Sequence, residues 1–554
     1  MRLVVCLVVM GVSLLGCNGS PAPSPTAPDS TTSTTDESTT TSDGAPGSTL
    51  PVDDSEVLRV GTTAPLTNLD PADAFTFGDW EVLNAVGGGL LEFEPGSGAI
   101  VPGLAEDLPE VSEDGRTYTF QLRDDIEYPD GTTLTAPDYV EGVDRVMNLG
   151  GRGSDLISLY VARIEAPDET TVVFELRDAY SFFPVLVTGA PYLAFHPDAY
   201  PADELAQTPE TPLFGAGHWY IESRSPQRLV LEENPGHLAE DGAPRRIILD
   251  VFETAQDMTT ALTAGDVDMI WRGIDAPAAD SLSEVDELNV SRASEGTVHF
   301  LTVNHGESPT SDHLVRQALA RLVDRGAIID SALGEAFEPA YSPIPSGFAG
   351  SIPSFREVYG EPDVAGAIEL LTEAGYSDTD RAEIELAYPP ERFGLDIAAA
   401  MDELALQIEA TGLASVTITA QPWNTYVGSV VDGDYDLAFL GWLHDFPDPH
   451  NYLASFVLDG GLGGSGINLA HPDIPELVED AAREADPDER ASLYGEIQEL
   501  FADDVVTLPL WVEHGFIAYR DRVSGSDEFP NPESLNLGPN QLLHFEAIEL
   551  DENG

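Results

Sequence analysis

The stretch TVHFLTVN, residues 297–304, is rich in β-branched and aromatic side chains and reads as a strand. A short loop later, DHLVRQALARLVDRGAIIDSAL, residues 312–333, repeats its apolar side chains at helical spacing. The same mixture extends in both directions. Towards the N-terminus, LRVGTTAP (58–65) reads as a strand entering a loop, TYTFQLRDDI (117–126) alternates as a half-buried strand, and RLVLEENP (228–235) and RIILDVF (246–252) are further strands. Towards the C-terminus, helical periodicity returns at 364–374, 395–410 and 487–502, the last opened by Asp486-Pro487 and a run of acids. Strands and helices intermingle without a repeat, so the fold class is α/β, or mixed α+β. No linker-like composition interrupts residues 57–554, so separate lobes would have to share crossing strands.

The ends read differently. Met1-Arg2 precedes an apolar run, Leu3 to Leu15, too short to anchor in a bilayer but suited to a secretory signal. It ends in Leu14-Leu15-Gly16-Cys17, which resembles a bacterial lipoprotein signal with cleavage before Cys17 and lipid on its thiol. Residues 1–16 are therefore expected to be removed. Residues 17–56 form a Ser/Thr/Pro-rich tether that buries too little surface to offset its ordering entropy. Cys6 would leave with the signal and Cys17 would be acylated, so no disulfide is expected.

Charge narrows the partners. The 554 residues carry 98 Asp plus Glu against 24 basic residues, all of them Arg, for a net charge of −74. Nucleic acid and anionic lipid headgroups both require a positive surface, so neither is expected as a partner. So many carboxylates repel one another less in concentrated salt, which points to a halophilic setting.

Several motifs then fall in a telling order. They are Tyr118-Thr119-Phe120-Gln121-Leu122-Arg123 with Asp130-Gly131-Thr132; Gly215-Ala216-Gly217-His218-Trp219-Tyr220 with Asn234-Pro235; and Val315-Arg316-Gln317-Ala318 with Asp324-Arg325. Ala374-Gly375-Tyr376, with Gly375 suited to a left-handed cap, and Gly441-Trp442-Leu443-His444-Asp445-Phe446 follow. In order and spacing the chain resembles a family 5 extracellular solute-binding protein, the class that holds the peptide receptors of ABC importers.

That resemblance implies a two-lobed type II periplasmic-binding fold. Lobe 1 would comprise 57–300 plus 520–554, with an inserted subdomain near 95–215; lobe 2 would span 301–519. TVHFLTVN and Leu508-Pro509-Leu510-Trp511 would form the hinge, and ligand would be engulfed between the lobes. It also implies that Asp445 meets the α-ammonium of a peptide and that Trp442 walls a side-chain pocket. Phe75, Thr76 and Phe77 would offer backbone to an extended ligand. An Arg that some oligopeptide receptors carry two residues before the Gly-Trp pair is replaced here by Phe439, so no partner for a peptide carboxylate is assigned. The expected role is a monomeric, lipid-anchored receptor on the outer face of the cytoplasmic membrane, handing short peptides to the membrane subunits of an importer. The alternative is the same role for an oligosaccharide or a metal chelate.

Other chemistries find little support. There is no Gly-x-Ser-x-Gly elbow, no His-Glu-x-x-His and no Walker lysine, and no spacing singles out a glycosidase carboxylate pair, so neither an enzyme nor a cofactor is expected. Gly461-x-Gly463-x-x-Gly466 fits a dinucleotide fingerprint only formally, since no βαβ strand precedes it. Asp445, Asp448, His450 and Asn451 crowd together, but Pro447 and Pro449 stiffen the segment and calcium-loop spacing is absent, so no metal is expected.

Overall fold

A computed structural model describes residues 52–95, 98–206, 211–237, 242–306, 309–393, 397–458, 471–525 and 541–551. The signal segment, Cys17, the tether as far as residue 51 and the Gly461–Gly466 motif lie outside the described residues. The last residues assigned to the tether, Asp54–Glu56, form a 3-10 turn capped by Asp53.

Six elements position the site: β1 (Val57–Thr62), α1 (Phe77–Gly87), β2 (Leu288–Val303), β3 (Leu437–Trp442), α2 (Pro449–Val457) and β4 (Thr507–Arg520). The four strands belong to one 11-stranded sheet that runs through the whole molecule. Its centre is the antiparallel pair β2 and β4, of 16 and 14 residues. On one side β3 pairs with β2, followed by Ala382–Tyr388 and Ala414–Ala420. On the other side β4 meets Met269–Trp271, then β1, Arg246–Val251, Arg228–Glu233 and Trp219–Arg224. The stretch 297–304 is thus the second half of a longer strand shared by both flanks.

The shared pair is not uniform. Ser294 faces His514, yet Val298 faces Val512, so two extra residues bulge from β2. Gly296 occupies that bulge at φ +61°, a left-handed conformation that suits a residue without a Cβ.

Separate cores form on the two flanks. Leu58, Leu231, Ile247 and Trp271 pack on one side, and Leu319, Ile384, Met401 and Phe439 on the other. A second, four-stranded sheet stands apart, built from Glu110–Val111, Thr117–Gln121, Thr171–Leu176 and Val161–Glu165. Tyr118, Phe120 and Phe174 fill the core beneath it.

The helices follow their periodicity with one break. Residues 312–333 divide into His313–Leu322, Arg325–Ile328 and a π turn at Ile329–Leu333. Asp324 causes the break: it caps the second piece by accepting from Ala327 N (3.0 Å), while its own N–H goes to Gln407 Oε1 (2.8 Å). Val364–Glu373, Ile397–Glu409 and Pro487–Asp504 match their expected spans. Gly375, just past the first of these, has φ +99°. Among the described residues no helix is long and apolar enough to cross a membrane.

Candidate functional site: a cavity around Asp445

Strand β3 is buried from Leu437 to Gly441 and delivers the Gly-Trp motif to the edge of the core. Gly441 sits in a tight place: a Cβ there would lie 3.0 Å from the His299 ring and 3.1 Å from Phe393, closer than side chains ordinarily pack. Beyond Trp442 the chain leaves the sheet and is caught almost at once by α2. Asp448 caps that helix by accepting from His450 N (2.8 Å) and takes a two-point grip from Arg490 (2.9 and 2.7 Å). The loop between is therefore held at both ends.

Asn451 organises its middle. The amide oxygen of Asn451 accepts from Trp442 Nε1 (3.2 Å) and from Asp445 N (3.1 Å), and its amide nitrogen donates to Asp445 Oδ2 at 3.4 Å. The Tyr452 hydroxyl donates to Gly296 O at 2.8 Å, and His444 Nδ1 lies 2.8 Å from the same hydroxyl. His444 must then be the donor to Tyr452 Oη, with its proton on Nδ1. A hydrogen-bonded chain thus joins the loop beside Asp445 to the bulge of the shared strand.

Asp445 lines a cavity of about 40 Å³, open in part to solvent. Its walls come from the loop (His444, Phe446), from α1 (Trp80, Asn84), from Thr188 and from Leu542. A second hollow of about 50 Å³ adjoins it, sharing Asn84, Thr188 and Leu542. Burial pushes the Asp445 carboxyl up to about 6, only partly offset by the hydrogen bond from Asn451. No cation among the described residues pairs with it, so the cavity offers a carboxylate whose charge is unbalanced.

The other expected ligand residues stand behind this wall. Trp442 is half-buried, with its ring edge-on to Phe456 (5.7 Å) and its N–H spent on Asn451; it does not line the cavity. Phe75 and Phe77 pack edge-on against Trp80, at 5.4 and 6.1 Å. Thr76 caps α1 by accepting from Asp79 N (3.1 Å). Trp80 is thus the residue through which that segment reaches the cavity. Just before it, the Leu69-Asp70-Pro71 turn is pinned by a buried two-point ion pair from Arg145 to Asp70 (2.9 and 2.8 Å).

The residues that suggested a metal reading have other roles. Asp448 is committed to Arg490 and to capping, and Asn451 to Trp442 and Asp445. His450 stacks on Phe182 at 4.7 Å, and burial brings its pKa down to about 4. No metal-holding group of three or more acidic, His or Cys side chains occurs among the described residues.

Arg392 was not singled out by sequence reasoning. It follows the Ala382–Tyr388 strand, and its guanidinium lies 4.5 Å over the Trp423 ring. Its Nε is buried without a hydrogen-bond partner. The next residue, Phe393, packs edge-on against Phe439 of β3 at 5.2 Å, so Arg392 lies beside the strand that carries Gly441 and Trp442.

The profile of the bacterial extracellular solute-binding proteins, family 5 (middle region), matches residues 99–464, more than half of the chain. The probable D,D-dipeptide-binding periplasmic protein DdpA of Escherichia coli K12 is 23% identical over 487 residues, covering 85% of this chain and 91% of DdpA. Protein XP55 of Streptomyces lividans is 30% identical over 444 residues, covering 75% of this chain and 77% of XP55. Among solved structures, the murein tripeptide-binding protein MppA in its unliganded open form superposes with a TM-score of 0.76 at 20% identity. That match covers 90% of this chain and 98% of MppA, and the fold is accordingly the two-lobed binding-protein fold. The chain belongs to the bacterial extracellular solute-binding proteins of family 5.

Proposed function

We propose that this protein captures short peptides between its two lobes and delivers them to the membrane subunits of an ABC importer, held to the outer face of the cytoplasmic membrane by lipid on Cys17. It performs no covalent chemistry. The observation that carries the reading is Asp445: a cavity-lining carboxyl, raised to about 6 by burial, with no cation paired to it among the described residues. A group placed so is costly when empty and is relieved by an ammonium that brings its own hydrogens and charge. Arg392, whose buried Nε has no hydrogen-bond partner, is the base assigned to the ligand's carboxylate. DdpA and MppA, which take dipeptides and a murein tripeptide by name, give the same direction.

The lobes are assigned as residues 57–300 plus 520–554, with the inserted subdomain near 95–215, and residues 301–519. The hinge belongs to the shared pair, and the bulge at Gly296 is its weakest ladder. Phe75, Thr76 and Phe77 act through Trp80, and Trp442 orients Asn451.

A thermal-shift panel tests this, with free di- to hexapeptides, their N-acetylated twins, and a set of oligosaccharides and metal chelates. A ligand present at about a hundred times its Kd adds about 2.7 kcal/mol of stability. Stabilisation by free but not by acetylated peptides is expected. Stabilisation by sugars or chelates alone would refute the peptide assignment and leave the transport role.

A further inference from the structure

The loop 178–183 leaves the four-stranded unit and meets the far lobe beside Asp445. Phe182 lies face to face with Phe446, ring centroids 5.2 Å apart and planes 13° apart, and also with His450, at 4.7 Å and 18°. Tyr160 closes the group edge-on, 5.3 Å from Phe182 and 5.9 Å from Phe446. Backbone and ions reinforce the rings. Ser181 donates to Ala482 O through both N (2.9 Å) and Oγ (3.1 Å), and Arg483 pairs with Asp178 at 2.9 Å. The Arg490 guanidinium, while gripping Asp448, lies 6.0 Å from the Phe182 ring. Phe182 is 1% exposed and Phe446 5%, and the core of the four-stranded unit counts Phe446 and Ala482 among its members. Two residues of the far lobe are thus packed into a core that is not their own.

We propose that this loop is a latch: the inserted subdomain is a second jaw, and Phe182 sets ligand affinity as a positioning residue that touches no ligand. Separating the lobes further must expose Phe182 and Phe446 and free the Ala482 carbonyl, so the latch favours the arrangement seen in the structure over a wider one, whether or not a ligand is present. Phe446 follows Asp445 directly, so the same contact fixes where the carboxylate points. Apparent affinity scales with the fraction of molecules already competent to bind, so weakening the latch weakens every ligand by one common factor. Changing Asp445 instead affects only ligands with a free amine. The inference rests on binding between the lobes, not on the ligand being a peptide.

The test uses two readouts. Spin labels at Glu113→Cys and Leu406→Cys, both exposed, report the separation of the jaws in the ligand-free protein once Cys6 and Cys17 are replaced by Ser. Release of trialanine is followed by stopped-flow fluorescence. Phe182→Leu and Phe446→Leu are expected to shift the ligand-free label distances to longer values, and Phe182→Leu, whose ring does not line the cavity, to speed release about tenfold. Because the two rings are one contact, the double variant should lose little more than either single. Arg483→Ala, at a half-exposed position that does not endanger folding, should shift the distances in the same direction by less. Unchanged distances in all these variants, or additive losses for the two rings, would overturn the latch. If trialanine does not bind at all, the peptide reading fails, and the ligand-free distances still decide the latch.

Discussion

Replacing Asp445 with Asn keeps the shape and removes the charge, and the structure predicts opposite effects on the empty and the filled protein. The carboxyl is raised from 3.8 to about 6, roughly two pH units, which at about 1.36 kcal/mol per unit is about 3 kcal/mol. A carboxyl whose folded pKa exceeds its unfolded one holds its proton more tightly in the fold. The stability this gives is fully present below about pH 3.8 and is lost as the pH rises through about 6. Asp445→Asn is neutral at every pH. It should therefore melt with the parent at about pH 4 and be more stable, by up to about 3 kcal/mol, at about pH 8. For binding the sign reverses: an ammonium that loses its buried carboxylate loses about 2–5 kcal/mol, about thirtyfold or more in Kd. The assay is a urea melt at the two pH values beside calorimetric titration with a free peptide. A variant that gains no stability at high pH and binds as tightly as the parent would refute the reasoning, and Asp445 would be one acid among 98 acidic residues.

Further expectations follow from other residues. Arg392→Gln should weaken peptides with a free C-terminal carboxylate by about tenfold or more and leave their amidated twins unchanged, as read by titration of both. Arg145→Ala strips the fully buried Asp70 of its two-point partner and should cost about 3–5 kcal/mol in a denaturant melt. Gly296→Ala would force a Cβ to within 2.1 Å of Gln541 Nε2 at a left-handed φ, so its melting temperature should fall; an unchanged one would contradict the role given to the bulge. Melting temperature should rise between dilute buffer and about 2 M salt, since the −74 charge is then screened; equal values would remove the halophilic reading. Cys17→Ala should move the protein from the membrane fraction to the medium, as seen by fractionation and blotting.

The fold was legible where local chemistry decides it. Alternation gave Thr117–Gln121 and Arg228–Glu233, and Asp486, which accepts from the N–H groups of Asp488 and Glu489, marked the start of the last long helix. The break at Val323-Asp324 was not legible, because its cause is partly Gln407, more than eighty residues away. Asp445 is singled out by sequence because the Gly441-Trp442 pair stands just before it, Trp442 by three residues. Its cavity could not: Trp80, Thr188 and Leu542 arrive from distant parts of the chain. Trp442 looked like a ligand wall because aromatic rings near binding motifs often are. Here its indole N–H has a nearer use, holding the amide of Asn451 that in turn holds the carboxylate. Phe182 gave no signal at all, since its ring looks like any core ring until the far lobe is placed against it.

The most direct test of the central claim is the proton released when a free peptide binds. With its pKa near 6, the empty Asp445 is about half protonated at that pH, and an ammonium in the cavity drives it fully to carboxylate. Calorimetric titration at about pH 6 in two buffers of different ionisation enthalpy reads that proton. The account predicts release of about half a proton per peptide at pH 6, shrinking as the pH rises until uptake by the peptide's own amine, of pKa about 8, takes over, and no release at pH 6 in Asp445→Asn. Tight binding with no proton released at pH 6, or the same release from the Asn variant, would contradict it.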